Sequence, residues 1–322
     1  MRAIRVAEHG GPEVLQPTEV EAPEPQPGHL LVEVAAIGVN FIDTYQRSGA
    51  YSVQVPFTPG SEGAGEVVAV GEDVTGFAVG DRVAWAMTPG SYAERALVPA
   101  DKAVRVPAGV DARTAAAAML QGLTAHYLVT STHPVQTGET ALVHAAAGGM
   151  GLLLTQLIKH CGGNVIGTVS TAEKEELARA AGADEVIRYT EEDVASTVAD
   201  LTDNRGVDVV YDGVGKTTFD ASLASLRPRG MLALFGAASG PVPPVDPQRL
   251  NSAGSVFLTR PSLAHHILTR DELEWRAGEL FDWIATGVLD IRVGGTYPLA
   301  EARRAHEDLE GRRTTGKLLL LP

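Results

Sequence analysis

An apolar run, Ala141–Ala145, leads into Ala146-Ala147-Gly148-Gly149-Met150-Gly151, and a helical pattern follows from Met150 to Cys161. The spacing is that of a G-x-G-x-x-G turn, with Ala146 in the first position and Gly148 and Gly151 in the other two. The chemistry such a turn serves is capture of a pyrophosphate. A Cβ at the second glycine would hold the anion away from the backbone amides. The third glycine lets the helix pack closely on the strand, and the helix N-terminus faces the negative charge. A glycine run alone is weak evidence, because it also fits an ordinary tight turn; the strand–turn–helix setting points to a dinucleotide.

The next strand selects between dinucleotides. An acidic residue about 20 positions on binds the ribose 2′-hydroxyl of NAD. Here that strand ends Gly167-Thr168-Val169-Ser170-Thr171, without a carboxylate. Ser170 and Thr171 offer hydroxyls and Lys174 a positive charge to a 2′-phosphate, which predicts NADPH, although Glu173 stands next to them.

Other chemistries find little support. One cysteine, Cys161, permits neither an intrachain disulfide nor a multi-cysteine zinc site. His265 and His266 are adjacent and diverge in direction on a helix. His144 reads as a core histidine, and no Ser–His–Asp set or carboxylate pair is evident from spacing, so hydrolysis is not expected. Asp43 and Glu62 read as hydrogen-bonding or pocket-wall residues.

The elements that must position these residues fall into two patterns. The first hundred residues carry short alternating runs, His29–Ala36, Gly65–Val70 and Arg82–Ala86, separated by turns such as Pro25–Gly28 and Gly80-Asp81. From Gly138 strands and helices alternate. Strands are expected at 141–145, 164–169, 185–188, 207–212, 231–235 and 255–258. Helices are expected at 150–161, 172–181, 191–201 and 217–226. That alternation predicts an α/β fold: a doubly wound, parallel, six-stranded Rossmann sheet. A helix over 271–286 and a strand over 317–321 close the chain. The predicted division is a β-rich catalytic domain at 1–122, a nucleotide domain at 123–260, and a return to the first domain over 261–322.

The 322 residues are 44% hydrophobic and 20% charged, enough for two sizeable cores without staples. The formal charge of −14 argues against binding nucleic acid or anionic membranes. The chain shows no signal-peptide pattern and no apolar run of membrane-spanning length; with its single cysteine, this predicts a cytoplasmic protein.

Several further segments carry a family resemblance. They are His9–Leu15, Gly38–Tyr45, Gly49-Ala50-Tyr51, Pro59–Gly65, Gly80–Val83, Gln121–Ala125, His144–Gly151 and Thr259–Leu263. In this order they resemble the quinone oxidoreductase branch, zeta-crystallin included, of the medium-chain dehydrogenase/reductase superfamily. The resemblance implies that the β-rich domain is GroES-like and that a cleft separates it from the nucleotide domain. It implies that Asn40 and Tyr45 lie near the nicotinamide, with Thr124 and Tyr127 below it. Gly148, Gly149, Met150 and Gly151 would carry the pyrophosphate, and Ser170, Lys174 and Tyr189 would surround the 2′-phosphate. Phe235, Gly236 and Ala238 would approach the cofactor, Arg312 would add a basic contact, and Tyr51 would line a quinone pocket. Zinc-dependent members place a cysteine near the position of Asn40 and His-Glu where Ser61-Glu62 stands here, so no metal is expected.

Without a metal, an alcohol cannot be polarised by Lewis acidity. An electron-poor quinone does not need that help, and Asn40, Tyr45 and Tyr51 could donate hydrogen bonds to its developing oxyanion. The expected activity is therefore NADPH-dependent quinone reduction. The competing expectations are an enone or enoyl reductase and a non-catalytic NADPH-binding protein. A homodimer pairing strand 255–258 across a two-fold axis is also expected.

Overall fold

The structure is a computed structural model describing residues Met1–Pro322. The chain divides into two compact units. One comprises Met1–Leu123, His266–Gly287 and Ile291–Pro322; the other comprises Thr124–His265 and Val288–Asp290.

The first unit opens with β1 (Arg2–Arg5) and β2 (Gln16–Glu19), which pair antiparallel. Next come β3 (His29–Val39), helix α1 (Phe41–Ser48), β4 (Glu62–Val70), β5 (Arg82–Ala86), β6 (Arg95–Pro99) and β7 (Ala103–Arg105). Helix α2 (Ala112–Tyr127) begins in the first unit and ends in the second, where it runs into a π-helical turn, Leu128–Thr132.

The second unit alternates strand and helix: β8 (Thr140–Val143), α3 (Gly149–His160), β9 (Asn164–Val169), α4 (Ala172–Ala180), β10 (Glu185–Arg188) and α5 (Val194–Leu201). It continues through β11 (Val207–Asp212), α6 (Phe219–Ala224), β12 (Leu226–Leu234), α7 (Pro247–Ser252) and β13 (Phe257–Thr259). The strands stand in the order β10-β9-β8-β11-β12-β13, and every neighbouring pair is parallel. This is the doubly wound sheet. Its central strands are covered on both faces, so β11 is buried at all six positions, Asp208 and Asp212 included. The order reverses between β8 and β11, where ligands of such sheets bind at the strands' carboxyl ends.

The chain then returns to the first unit with α8 (Arg270–Ala285), β14 (Val293–Pro298), α9 (Ala302–Glu310) and β15 (Lys317–Leu321). β15 pairs antiparallel with β3 and parallel with β14, completing the order β14-β15-β3-β4-β5-β7, with β6 also on β3. Ile4, Leu30, Val32, Ile37, Val67, Trp85 and Leu318 lie in its core. No helix is long and apolar enough to cross a membrane.

Candidate functional site

At the carboxyl end of β8 the chain turns through Ala145, a non-glycine residue at φ 52°, into α3. The turn is held by Ala146 N–H donating to Thr168 O at 3.0 Å and Gly148 N–H donating to Ala145 O at 2.8 Å. A Cβ on Gly151 would collide with Ala145 O and lie 2.6 Å from Ala146 Cα, so only glycine lets the helix begin there. Gly148 caps α3 without a side-chain hydrogen bond. The opening amides, Gly149 and Met150 among them, are those a helix leaves without intrahelical partners, and they suit an anion.

Ser170, Lys174 and Tyr189 gather at the ends of β9 and β10. Lys174 Nζ lies 3.5 Å from Ser170 Oγ, and Tyr189 N–H donates to Val169 O at 3.1 Å. Tyr189 is 43% exposed. Thr171 is the N-cap of α4, its hydroxyl accepting from Lys174 N–H at 3.3 Å. Glu173 is exposed on the first turn of that helix. Phe235, Gly236 and Ala238 follow β12 and bond back to the end of β11 and the residue after it: Phe235 N–H to Asp212 O at 2.9 Å and Ala238 N–H to Gly213 O at 3.2 Å. Thr124 and Tyr127 are buried on α2. These residues fit a dinucleotide with a phosphate on its ribose. They supply open amides at a helix start and hydroxyls beside an ammonium, and no carboxylate ends β9. Arg312 belongs to the first unit, in the turn after α9, at φ 55°.

Spacing showed no Ser–His–Asp set, yet the fold assembles one beside this turn. His144 Nε2 lies 2.9 Å from Ser222 Oγ, which donates to Asp212 Oδ2 at 2.7 Å; His144 Nδ1 lies 3.0 Å from Thr168 Oγ1. Because the carboxylate takes the serine proton, Ser222 accepts from Nε2–H, and Nδ1 accepts from Thr168. Burial holds the His144 imidazole below its ordinary pKa, partly offset by Asp212. A buried serine spending its proton on aspartate is no nucleophile, so the group ties β8 to β9 and β11.

In the first unit, Asn40 precedes α1 at the end of β3. Its backbone N–H donates to Asp43 Oδ2 at 2.9 Å, and Gly49 ends the helix at φ 80°. Tyr45 and Tyr51 face one another with ring centroids 5.2 Å apart, and Phe41 lies 6.2 Å from Tyr45. Tyr51 is 43% exposed. Asn40 does not keep the role expected of it as a donor to substrate. Its amide donates to Glu62 Oε1 at 2.6 Å and to Gly38 O at 3.4 Å, and the side chain is buried. The hydrogens that were to serve an oxyanion are engaged inside the protein.

Glu62 is the centre of that arrangement. Oε1 also receives the ammonium of Lys317, Oε2 accepts Leu120 N–H at 2.6 Å, and Lys317 Nζ donates to Asn40 Oδ1 at 2.7 Å. A Cβ on Gly38 would collide with the Glu62 carboxylate, which explains that glycine. Sequence reasoning missed Lys317, which looked like the first residue of an apolar strand. Its partners are 255 and 277 positions away, and no local signal announces them.

A second buried network underlies α1. Asp43 Oδ1 accepts Ser61 Oγ at 2.9 Å and Oδ2 accepts Tyr92 OH at 3.2 Å; His306 Nε2 lies 2.9 Å from that hydroxyl. Arg47 donates to His306 Nδ1 at 3.0 Å and makes a two-pronged pair with Glu310. Since the guanidinium only donates, neutral His306 carries its proton on Nε2. Burial, then Arg47, lowers the His306 pKa to about 3; burial raises Asp43 to about 6.

These residues do not fit zinc. Asn40 and Ser61 offer an amide and a hydroxyl rather than a thiolate or an imidazole, and an ammonium occupies the oxygens of Asn40 and Glu62. No three His, Cys, Asp or Glu side chains cluster so as to hold a metal ion.

Comparison with known proteins agrees with the two-part architecture. Residues 26–108 match the alcohol dehydrogenase GroES-like domain, and residues 149–285 match the family described as zinc-binding dehydrogenase. The chain is 49% identical over 323 residues to a quinone oxidoreductase of Pseudomonas aeruginosa, covering 100% of this chain and 99% of that one. It is 44% identical to a 2-haloacrylate reductase of Burkholderia, covering 99% and 98%. A solved mycobacterial protein complexed with NADPH superposes with TM-score 0.97 at 57% identity, covering 100% of both chains. The chain belongs to the quinone oxidoreductase family of the medium-chain dehydrogenase/reductase superfamily.

Proposed function

We propose that this chain is an NADPH-dependent quinone reductase that works without a metal ion. The observation that carries the cofactor side is the end of β9, where Ser170, Lys174 and the exposed Tyr189 gather with no carboxylate at the strand end. When bound, the cofactor supplies the hydride. The Gly148–Gly151 turn binds its pyrophosphate through backbone amides, and Ser170, Lys174 and Tyr189 hold the 2′-phosphate. Thr124, Tyr127, Phe235, Gly236 and Ala238 border the rest of the cofactor, and Arg312 adds a basic contact. In the other unit, Tyr45 and Tyr51 form the aromatic wall that orients a flat acceptor, and their hydroxyls point the chemistry to its carbonyl oxygen. Asn40 serves by holding the start of α1. The name of the Pseudomonas relative supports the acceptor class.

The first unit thus serves the acceptor, through 1–122 and the returning 261–322, and the nucleotide unit, 123–260, serves NADPH. We further propose a homodimer joined through β13, the edge strand of the parallel sheet, in a cytoplasmic protein; the exposed Phe257 supports the dimer and the single cysteine the location.

One second reading has a specific support: the 2-haloacrylate reductase relative is named for a substrate with a conjugated double bond. NADPH consumption should therefore be followed with a panel of quinones and enones, after dialysis against a strong chelator. Quinone turnover is expected. Turnover of enones alone would favour the second reading, and NADPH binding without any turnover would leave a non-catalytic binding protein.

A further inference from the structure

The Lys317 side chain is 2% exposed and that of Glu62 is fully buried, so this ion pair has been taken out of water. Replacing such a pair by apolar residues is often neutral or stabilising, so stability alone does not account for it. β15 continues from Lys317 as Leu318, Leu319, Leu320 and Leu321, and a fifth apolar residue would suit the strand.

What the pair does visibly is fix Asn40. An ammonium only donates and a carboxylate only accepts, so Lys317 must face Oδ1 and Glu62 must face Nδ2. The carboxamide is left with one orientation. The same residue's backbone N–H is taken by Asp43, and Glu62 is tied by its other oxygen to Leu120. Asn40 is the junction between β3 and α1, and α1 carries Tyr45.

We propose that Lys317 is a positioning residue for the reaction. Its ammonium bridges Asn40 Oδ1 and Glu62 Oε1, locks the Asn40 carboxamide, and so fixes the first turn of α1 under Tyr45 and Tyr51. The inference rests on the reading of that helix as the acceptor side of a quinone reductase.

The test separates this role from a merely structural one. Lys317→Met alone leaves the buried Glu62 carboxyl without its cation, and should lower the melting temperature sharply. The double variant Glu62→Gln/Lys317→Met removes both charges. The carboxamide introduced by Glu62→Gln can still accept Leu120 N–H through its carbonyl oxygen, but it then presents an NH2 group to Asn40, whose own NH2 must turn away. The double variant should regain most of the lost melting temperature, while kcat with a quinone stays about a hundredfold below wild type, the scale of a misplaced reacting group. KM for NADPH should stay close to wild type, because the Gly148–Gly151 turn and Lys174 are untouched. A stable double variant with wild-type kcat would overturn the inference. Should the double variant not fold, Asn40→Ser, with the pair intact, takes its place. It should reproduce the loss of kcat, and a wild-type kcat in that variant would also overturn the inference. A wild-type enzyme that reduces no quinone at all would instead overturn the functional reading, and this inference with it.

Discussion

At the scale of single residues, a side chain's role could be read where its demand is local. Gly151 is required by contacts with Ala145 and Ala146, a few positions earlier in the same turn, and the spacing of the glycines announced it. The hydroxyl–ammonium pair of Ser170 and Lys174 is four positions apart and was equally legible. Lys317, Tyr92 and His306 were not, since Tyr92 and His306 meet across 214 positions and their types carry no pattern. His306 offers a test of its buried environment. Its folded pKa of about 3 lies below the ordinary 6.5, so its contribution to stability is fully present above pH 6.5 and is lost as pH falls towards 3. Asp43 acts in the opposite sense. Its pKa is raised from 3.8 to about 6, so its contribution is present below 3.8 and lost as pH rises through 6. His306→Gln keeps an acceptor and a donor but removes the titration. The stability difference between wild type and variant should shrink by about 1.4 kcal/mol per pH unit between pH 6.5 and 4, with Asp43 common to both proteins. Urea unfolding at stepped pH measures it. A pH-independent difference would contradict a buried, neutral His306.

At the scale of elements, the short strands of the parallel sheet were the clearest. Asn164–Val169, Glu185–Arg188 and Val207–Asp212 each carry a short core of Val or Ile, and their expected bounds are those they have in the fold. The helix expected over 217–226 is only Phe219–Ala224, because Leu226 already pairs with Val207, ahead of a register shift, as the start of β12. Pro228 and Gly230 disguised that start as a turn. α1 went unread as a helix: eight residues are too few for a periodic signal, and its definition comes from the Asn40–Asp43 cap and Gly49. The edge strand came out as Phe257–Thr259 rather than 255–258, with Ser255 at φ 56° breaking it from α7. Phe257 is 59% exposed on that edge, and an open apolar strand edge invites a partner. Phe257→Glu should therefore shift the protein from dimer towards monomer without unfolding it, as light scattering with circular dichroism would register. A wild-type protein that is monomeric at micromolar concentration would contradict the proposed dimer.

At the scale of the whole molecule, the alternation of strands and helices after Gly138 and the β-rich start revealed the α/β architecture, because each follows from which faces must be buried. How the tail returns was legible only as a closing strand; its place between β3 and β14 depends on pairings distant in sequence. The net charge of −14 makes the local cation at Lys174 the more telling, since an acidic protein must concentrate positive charge where it binds a phosphate. A charge-assisted hydrogen bond to that phosphate contributes roughly 1.5–3 kcal/mol, or about one to two orders of magnitude in affinity. The most direct measurement is kcat/KM for NADPH and for NADH with one quinone as acceptor. Quinone-dependent oxidation of NADPH at least about tenfold more efficient than that of NADH is expected; equal efficiencies, or no quinone-dependent oxidation of either, would contradict the assignment.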